Sequence, residues 1–405
     1  MTTFLQSARR TIALACGEPR KLHAFVLAAV ATLHSATLGA STSQDVALAA
    51  YVPLSALEYR YYLPGTNQWA EPGKALDDAR NALDAEMFPQ AFAADFNSAA
   101  NFGLLLAMHP KWSYENYKIH LEIAYKVLKP DGTSLLEGKQ VEEAGNDPSS
   151  GAFYSAAVHA MQRIYRDVSK KLAPTATDFP PVGRFSEIDR SLVVDRATPS
   201  LSGTGFFINK SGQMLTAQHV MRDCLYVEAQ KDDERFPVKA VASSDLLDLA
   251  IVDSGRPTNK ALPLRANLNL VLGESVTDVG YPLQRIMAGS PNLTRGNVSA
   301  RGGLKGSLGL FQFSAPVQPG SSGGPVVSDQ GTLLGVTVSQ LNAAELIKEG
   351  ILPQNVNFAL EAKYVAMFLR NSHVTFVTTS GSSGGDMGRA NDAALAAVAQ
   401  FSCYE

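Results

Sequence analysis

The sequence predicts a multi-domain protein in which a small N-terminal α+β module precedes a larger all-β domain. Its 405 residues exceed the length of one typical domain. Up to about residue 172, helical and strand periodicities alternate, whereas residues 192–369 consist of short β-type runs separated by Gly, Asn, Asp and Pro. Many short strands at close intervals are typical of an all-β sandwich or a pair of barrels.

The composition is that of a packed soluble protein. Apolar residues make up 45% of the chain and charged residues 18%, which excludes a wholly disordered chain. The formal net charge is -3, and Lys and Arg do not cluster. Because proteins that bind nucleic acids need clustered cations to neutralise phosphates, no nucleic-acid partner is expected.

Residues 1–40 resemble a signal peptide. Four basic residues precede the apolar run LHAFVLAAVATLHSATLGA, which ends in small residues before the polar STSQD. Cleavage is expected near Ala40, which predicts a periplasmic or secreted protein; the segment can also be retained as an anchor. Two alternatives are a structured or disordered N-terminus and, less favoured, a lipoprotein acylated at Cys16.

Residues 51–172 form the predicted α+β accessory domain. Apolar residues at helical spacing in GKALDDARNALDAEMF predict a helix, and strict alternation in YKIHLEIAYKV predicts a strand with one buried face. The turn sequence KPDGT (Lys129–Thr133) leads into a second strand, SLLEGKQVEE, and completes a hairpin. A long helix follows, with apolar residues at three-to-four spacing from Phe153 to Leu172.

Nothing in this accessory domain indicates catalysis or metal binding. His109, His120 and His159 are far apart and lack a carboxylate or cysteine at ligand spacing. They are interpreted as surface or strand-face histidines, and neither a metal nor a cofactor is predicted.

A proline-rich stretch divides the chain. LAPTATDFPPVG lacks apolar periodicity, and residues 173–190 are therefore predicted to be a semi-rigid linker. The β-domain is assigned to residues 191–372, and residues 373–405 are expected to be a C-terminal tail with a short helix and a strand.

Three polar residues of the β-domain suggest nucleophilic catalysis. His219 lies in MLTAQHVMRDC, Asp248 in SSDLLDLAIVDS and Ser322 in QPGSSGGPVV. A serine hydroxyl is a poor nucleophile at neutral pH, so a histidine must accept its proton and an aspartate must orient that histidine. Residues this distant in sequence meet only if the fold brings three loops to one cleft, as a pair of packed barrels does.

The pentapeptide GSSGG occurs twice, and its flanking residues separate the two copies. Ser322 is followed by Pro-Val-Val, a strand entering the second barrel, whereas Ser383 is followed by DMGRAND without an apolar anchor. Ser383 is therefore interpreted as part of a linker. Asp245 and Asp253 flank Asp248, but only Asp248 directly precedes the Leu-Ala-Ile strand that would position it.

Six motifs in order, SGTGFFI, LTAQHV, DLAIV, VGYP, PGSSGGPVV and GVTVS, resemble those of trypsin-like (chymotrypsin-fold) serine peptidases, closest to the bacterial HtrA-like branch. The resemblance covers residues 192–369 and implies two six-stranded β-barrels. It implies that His219 is the general base, Asp248 its orienting partner and Ser322 the nucleophile.

The same resemblance implies further site residues. The amides of Gly320 and Ser322 would form the oxyanion hole. The substrate-binding residues would be Pro316, Thr337, Val338 and Ser339.

The sequence also departs from the familiar pattern. Ser321 replaces the aspartate that pairs with a newly cut N-terminus in digestive enzymes, and Pro316 stands where trypsin has the acid that selects Lys or Arg. Few residues follow Leu369, so a relative without PDZ domains is expected.

The three cysteines lead to a disulfide prediction. If the signal peptide is removed, Cys16 leaves with it, and Cys224 and Cys403 remain as the only pair. We expect them to form a disulfide that ties the tail to the first barrel in an oxidising compartment. The alternative is two reduced thiols in a cytoplasmic protein.

Two functional hypotheses follow. In the first, the chain is an exported serine endopeptidase that cuts polypeptides through an acyl-enzyme intermediate without a cofactor. In the second, it is a catalytically weak or inactive module whose barrels bind peptides by strand addition. In either case the N-terminal domain could contact a partner protein of the cell envelope.

Overall fold

The computed structural model describes residues 46–63, 68–115, 118–144, 150–267, 269–283, 289–303, 309–338, 355–380 and 386–405. The predicted signal peptide, Ser339 and Ser383 lie outside these ranges. Within them, no helix is both long enough and apolar enough to cross a membrane.

The N-terminal module contains nine strands and three helices in the described part of the chain. Their bounds are β1 Leu48–Tyr51, α1 Leu54–Leu57, β2 Tyr61–Leu63, β3 Gln68–Ala70, α2 Pro72–Met87, β4 Phe92–Ala93, β5 Asn101–Phe102, β6 Leu104–Glu115, β7 Lys118–Leu128, β8 Ser134–Ala144, α3 Ser150–Leu172 and β9 Gly183–Arg184.

A five-stranded sheet, in the order β4-β1-β6-β7-β8, is the centre of this module. Strand β7 alternates along most of its length between buried and partly exposed residues, as its sequence pattern predicts. Its buried side chains, including Leu121 and Ile123, pack with residues of α2 and α3 such as Leu76 and Ile164. Helices thus cover one face of the sheet.

The linker region covers the other face of the sheet. Phe185, Ile188 and Val193 form a buried cluster with sheet residues such as Leu105 and Ala107. Two short 3₁₀ turns, Phe185–Glu187 and Arg190–Leu192, bring these apolar side chains onto the sheet. The proline-rich segment therefore leads into a packed connection, because its C-terminal half has apolar surface to bury.

The β-domain contains the remaining described elements. Their bounds are β10 Leu201–Phe207, β11 Gln213–Thr216, α4 Gln218–Met221, β12 Tyr226–Lys231, β13 Glu234–Pro237, β14 Lys239–Ser244, β15 Leu249–Asp253, β16 Leu264–Arg265, β17 Ser275–Gly280, β18 Asn292–Arg301, β19 Leu310–Phe313, β20 Pro325–Ser328, β21 Leu333–Thr337, β22 Asn357–Glu361, α5 Ala362–Asn371, β23 Thr378–Thr379, α6 Met387–Ala397 and β24 Val398–Tyr404.

These strands form a half-barrel and a closed barrel. The first sheet has the order β13-β12-β24-β10-β11-β15-β14. In the second, β17, β18, β19, β22, β21 and β20 pair in a ring that closes through β20 and β21, with β16 and β23 added at the side. The interior of the closed barrel is packed with Val276, Phe311, Phe313 and Val326. The predicted double-barrel architecture is therefore present, but the first unit is a seven-stranded half-barrel rather than the expected six-stranded barrel.

The C-terminal strand lies in the middle of the first sheet. Strand β24 pairs antiparallel with β10 on one side and with β12 on the other. Phe401 and Cys403 of this strand are fully buried. The segment expected as a tail therefore supplies a central strand, because it satisfies backbone hydrogen bonds of two neighbours at once.

Two further interactions hold this strand in place. A disulfide joins Cys224 and Cys403, as the cysteine count predicts. The buried carboxylate of Glu228 accepts a hydrogen bond from the Tyr404 hydroxyl at 2.8 Å and forms ion pairs with Arg196 at 2.5 Å and Arg235 at 3.3 Å. Pairing compensates for burying this charge, and it links β24 to the segment that precedes β10.

Removing the disulfide should destabilise the protein. The bridge closes a loop with a sequence separation of 179 residues, so the double variant Cys224→Ser/Cys403→Ser should lose about 3–5 kcal/mol of unfolding free energy through the added freedom of its unfolded chain. Urea denaturation without reductant measures this difference. As a control, dithiothreitol should lower the stability of the wild type to that of the variant and leave the variant unchanged. Equal stabilities without reductant would contradict the prediction.

Candidate active site

Pairing of β11 with β15 brings His219 and Asp248 together. His219 lies in α4, directly after β11, and Asp248 immediately precedes β15. The Nδ1 atom of His219 is 2.7 Å from Oδ2 of Asp248, and the His219 backbone N–H donates to Oδ1 at 2.9 Å. This two-point contact fixes the ring orientation. Because Nδ1 is bound to Asp248, Nε2 is the ring nitrogen that remains for proton exchange with another group.

The backbone at Asp248 favours this residue type. Its φ angle is 50°, in the left-handed region that Asp and Asn adopt more readily than most residues. Its carbonyl accepts a hydrogen bond from the Gln218 N–H at 3.1 Å, which anchors the aspartate turn to the histidine helix. The carboxylate of Asp245 is 82% exposed, and Asp253 accepts from the Gly255 N–H, so the structure brings neither to His219.

Ser322 lies in a tight turn between the two barrels. The turn is closed by hydrogen bonds from the Ser321 N–H to the Gln318 carbonyl and from the Gly324 N–H to the Ser321 carbonyl. The carbonyl of Ser322 accepts from the N–H of Thr204, on β10 of the first sheet, at 2.8 Å. The serine turn of one barrel is therefore docked onto a strand of the other.

Two glycines allow the serine turn to pack closely against α4, the helix that contains His219. A Cβ atom on Gly323, whose φ is 85°, would lie 2.3 Å from the Thr204 carbonyl oxygen and 2.6 Å from the Ala217 nitrogen. A Cβ on Gly203 would lie 2.5 Å from the Val220 side chain and 3.1 Å from the Ser322 carbonyl oxygen. Ser322 is thus packed beside α4, the helix that carries His219, and larger residues at either glycine would separate them.

The backbone around Gly320 determines where two amide groups of the serine turn point. Gly320 has a φ angle of 102°, and the carbonyl of Pro319 accepts a hydrogen bond from the Leu283 N–H at 2.8 Å. In a trans peptide the N–H points opposite to the carbonyl, so the Gly320 N–H points away from Leu283. Among the described residues, the amides of Gly320 and Ser322 donate no hydrogen bond to the protein. These are the two amides that the sequence resemblance assigns to an oxyanion hole.

One of the residues predicted to bind substrate, Thr337, contacts the same turn. Thr337 exchanges backbone hydrogen bonds with Gly323 and Gly324, both at 2.8 Å, and the N–H of Val338, just after the end of β21, donates to the Phe358 carbonyl at 3.2 Å. The carbonyl of Pro316 accepts from the Thr294 hydroxyl at 2.7 Å. Ser339, the last predicted member of this set, lies outside the described residues.

Two side chains that sequence reasoning missed support this site. Thr204 is fully buried; its hydroxyl donates to the Gly320 carbonyl at 2.8 Å and accepts from the Tyr281 N–H at 2.9 Å. Asp278 is buried on β17 and accepts a hydrogen bond from the Thr337 hydroxyl. An acid two residues after Val276, on the inward-facing side of a strand, was the signal that could have identified Asp278.

The described residues contain no group of three or more His, Cys, Asp or Glu side chains that could hold a metal ion.

His109 of the N-terminal module is largely buried, and this burial lowers its pKa to about 4. The histidine is therefore neutral at physiological pH.

A half-barrel and a closed barrel, with a histidine–aspartate pair and a glycine-rich serine turn at their junction, define the trypsin-like class of serine hydrolases. Residues 203–336 match the family model of the trypsin-like peptidase domain. This segment is a trypsin-like peptidase domain, which confirms the predicted family.

Several proteins are similar to this chain. An uncharacterized protein, y4bJ, of Sinorhizobium fredii is 39% identical over 188 residues, covering 46% of this chain and 30% of that protein. The serine protease HTRA4 of Homo sapiens is 26% identical over 236 residues, covering 56% and 46%. A serine protease HtrA-like protein of Staphylococcus aureus is 28% identical over 227 residues, covering 51% and 28%. The chain spans less than half the length of each of these relatives.

Solved structures are also similar to it. The serine endoprotease from Yersinia pestis aligns with a TM-score of 0.36 and 23% identity, covering 43% of this chain and 58% of that one. The HtrA-type protease AlgW with a decapeptide aligns with a TM-score of 0.37 and 22% identity, covering 42% and 51%.

Removing the Thr204 hydroxyl should destabilise the junction. Thr204→Val leaves the Tyr281 N–H and the Gly320 carbonyl without their partner, which should lower the unfolding free energy by about 1–3 kcal/mol. Thr204→Ser keeps the hydroxyl and should recover most of this loss. Chemical denaturation of both variants provides the measurement. If the valine variant is no less stable than the serine variant, the hydroxyl does not hold the junction.

Proposed function

We propose that this chain is an exported serine endopeptidase that hydrolyses peptide bonds through an acyl-enzyme intermediate. The observation that supports this most strongly is the combination of the His219–Asp248 contact with a Ser322 turn packed beside the same helix. A histidine with only a structural role would not need the contact with Asp248. A serine that only forms a turn would not need the two amides, of Gly320 and Ser322, that donate no hydrogen bond among the described residues.

In the proposed mechanism, each step uses a group of this chain. Asp248 accepts a hydrogen bond from the Nδ1–H of His219, so Nε2 carries the lone pair that removes the Ser322 hydroxyl proton as Oγ attacks the peptide carbonyl. The amides of Gly320 and Ser322 donate to the oxyanion. His219 then passes its proton to the leaving amine, the C–N bond breaks, and a water activated by the same nitrogen hydrolyses the ester.

The disulfide supports an oxidising location. Bridges such as Cys224–Cys403 persist in the periplasm and outside the cell but are rare in a reducing cytoplasm. Together with the predicted signal peptide, this favours export to the periplasm or beyond. We further infer that the N-terminal sheet and its helices provide a surface for a partner protein of the cell envelope.

Substitution of any member of the triad should abolish turnover without unfolding the protein. Ser322→Ala, His219→Ala and Asp248→Asn should each lower kcat by about ten-thousandfold or more, and combining them should add little, because the three groups act as one unit. Asn at position 248 also accommodates the positive φ angle. Peptide hydrolysis and circular dichroism on each variant provide the measurements.

The second GSSGG copy supplies the matched control for this experiment. Ser383→Ala should leave hydrolysis unchanged, and a fluorophosphonate probe should label wild type and Ser383→Ala but not Ser322→Ala. Loss of activity in Ser383→Ala with activity retained in Ser322→Ala would show that the wrong serine was chosen. Absence of labelling in the wild type would instead favour the peptide-binding module.

Cleavage should follow small or medium apolar residues. Pro316 lies at the expected base of the specificity pocket and offers no carboxylate there, so a Lys or Arg side chain would lose hydration without gaining an ion pair, at a cost of about 2–3 kcal/mol. Profiling against a peptide library, with Ser322→Ala as the blank, measures this preference. A dominant preference for Lys or Arg would contradict the assignment of the pocket.

A further inference from the structure

A carboxylic acid lies inside the closed barrel. Asp278 is 3% exposed and stands opposite Val326 on the neighbouring strand β20. Opposed residues of paired strands point to the same face, and Val326 belongs to the apolar interior formed with Phe311 and Phe313. An acid in such a place is costly unless it is paired or neutral.

The side-chain partner of Asp278 in the described structure is Thr337. The Thr337 hydroxyl donates to Oδ1 of Asp278, and both side chains are buried. Thr337 ends strand β21, whereas Asp278 lies on β17, and these two strands are separated by β20 in the barrel. The hydrogen bond therefore crosses the barrel interior behind the strand that begins just after the serine turn.

One end of this bond is held against the serine turn. The Gly323 N–H donates to the Thr337 carbonyl, and the Thr337 N–H donates to the Gly324 carbonyl, both at 2.8 Å. Because these are backbone bonds on both sides of Thr337, a displacement of Thr337 displaces the residues directly after Ser322.

Asp278, at the other end of this hydrogen bond, directly precedes the segment that contacts the serine turn. A Cβ on Gly324 would be 2.5 Å from the Val279 carbonyl oxygen, and a Cβ on Gly320 would be 2.5 Å from the Tyr281 carbonyl oxygen. The residues that follow Asp278 therefore touch both ends of the turn.

We propose that Asp278 is a positioning residue for Ser322, which acts through the Thr337 hydroxyl to tie together the two backbone segments that enclose the serine turn, and that it does so in its neutral form. This inference rests on the proposed peptidase function. Asp278 does not touch the reacting atoms; it fixes the loop that carries them.

The surroundings of Asp278 favour the neutral acid. Burial raises its pKa to about 7, and the hydrogen bond from Thr337 only partly opposes this rise. Strands β10, β20, β21 and β24 carry no charged residue. The charged residues of β18 and α6, the other elements packed against β17, are exposed: Arg295, Arg301, Arg389 and Asp392. Because none of the described residues presents a cation to the carboxyl, ionisation would place an unpaired charge in the barrel and loosen the turn.

The test is the pH dependence of fluorophosphonate labelling at Ser322, measured from pH 5 to pH 9 in the full chain. In the wild type the labelling rate should fall above pH 7, to about one tenth of the rate of the Asp278→Asn variant at pH 8. Asp278→Asn retains a neutral group of the same shape, so its rate should reach a plateau. A wild-type rate that does not fall, or the same fall in Asp278→Asn, overturns the inference.

Thr337 variants test the connection independently. Thr337→Val removes the hydroxyl and should lower the labelling rate at pH 6, whereas Thr337→Ser should restore it. The matched control is Thr332→Val, which removes another buried hydroxyl of this barrel, bonded to Ser328 away from the turn. That control should label at the wild-type rate. Equal rates in Thr337→Val and Thr337→Ser would overturn the proposed connection.

Stability against pH provides a readout that does not need activity. Asp278 has a raised pKa in the folded state, so the unfolded chain releases this proton from about pH 4 and the folded protein only near pH 7. The urea midpoint of the wild type should therefore fall between these values relative to that of Asp278→Asn, and the difference should stay constant above pH 7. Parallel midpoints would show that the pKa of Asp278 is the same in the folded and unfolded states, and would overturn the inference. Absence of labelling at every pH overturns the proposed function and this inference together, whereas identical labelling profiles in wild type and Asp278→Asn overturn this inference alone.

Discussion

Thr204 is the residue on which the geometry of the site depends. Its backbone N–H holds the Ser322 carbonyl, its carbonyl accepts from the Thr216 hydroxyl, and its own hydroxyl bridges Gly320 and Tyr281. Thr204, Thr216 and Tyr281 are buried, and Gly320 and Ser322 are partly buried, so an unmade bond here would leave a desolvated polar atom. One residue of the first sheet thereby sets the position of the serine turn. Separating the two barrels would break these hydrogen bonds and leave their donors and acceptors without partners.

The first sheet in turn depends on the end of the chain. Strand β10, which carries Thr204, has β11 on one side and the C-terminal strand β24 on the other. The disulfide at Cys403 and the buried contact of Tyr404 with Glu228 secure that strand. The last residues of the sequence therefore stabilise the strand that supports the candidate nucleophile, and the site is built from distant parts of the chain.

The N-terminal module is connected to the peptidase domain by packing as well as by sequence. Its sheet buries apolar residues on both faces, one under helices and the other under the segment around Phe185, which leads directly toward β10. Leu225, close to the disulfide, also packs against that second cluster. Packed side chains therefore connect the surface of the module with the domain that carries Ser322. Binding at the module surface could affect that domain only if an element along this connection has two alternative conformations.

The sequence by itself determined the β-domain, the α+β module and the identity of the triad candidates, because hydrophobic periodicity and glycine-rich turns are local signals. It also yielded the Cys224–Cys403 pair by simple counting. The place of β24 in the middle of a sheet could not be predicted, since strand order depends on which edges remain unpaired after the rest has folded. The roles of Thr204 and Asp278 were likewise decided only by the tertiary structure. The function of a threonine or an aspartate in a strand depends on which partner the fold brings within hydrogen-bonding distance from a distant part of the sequence.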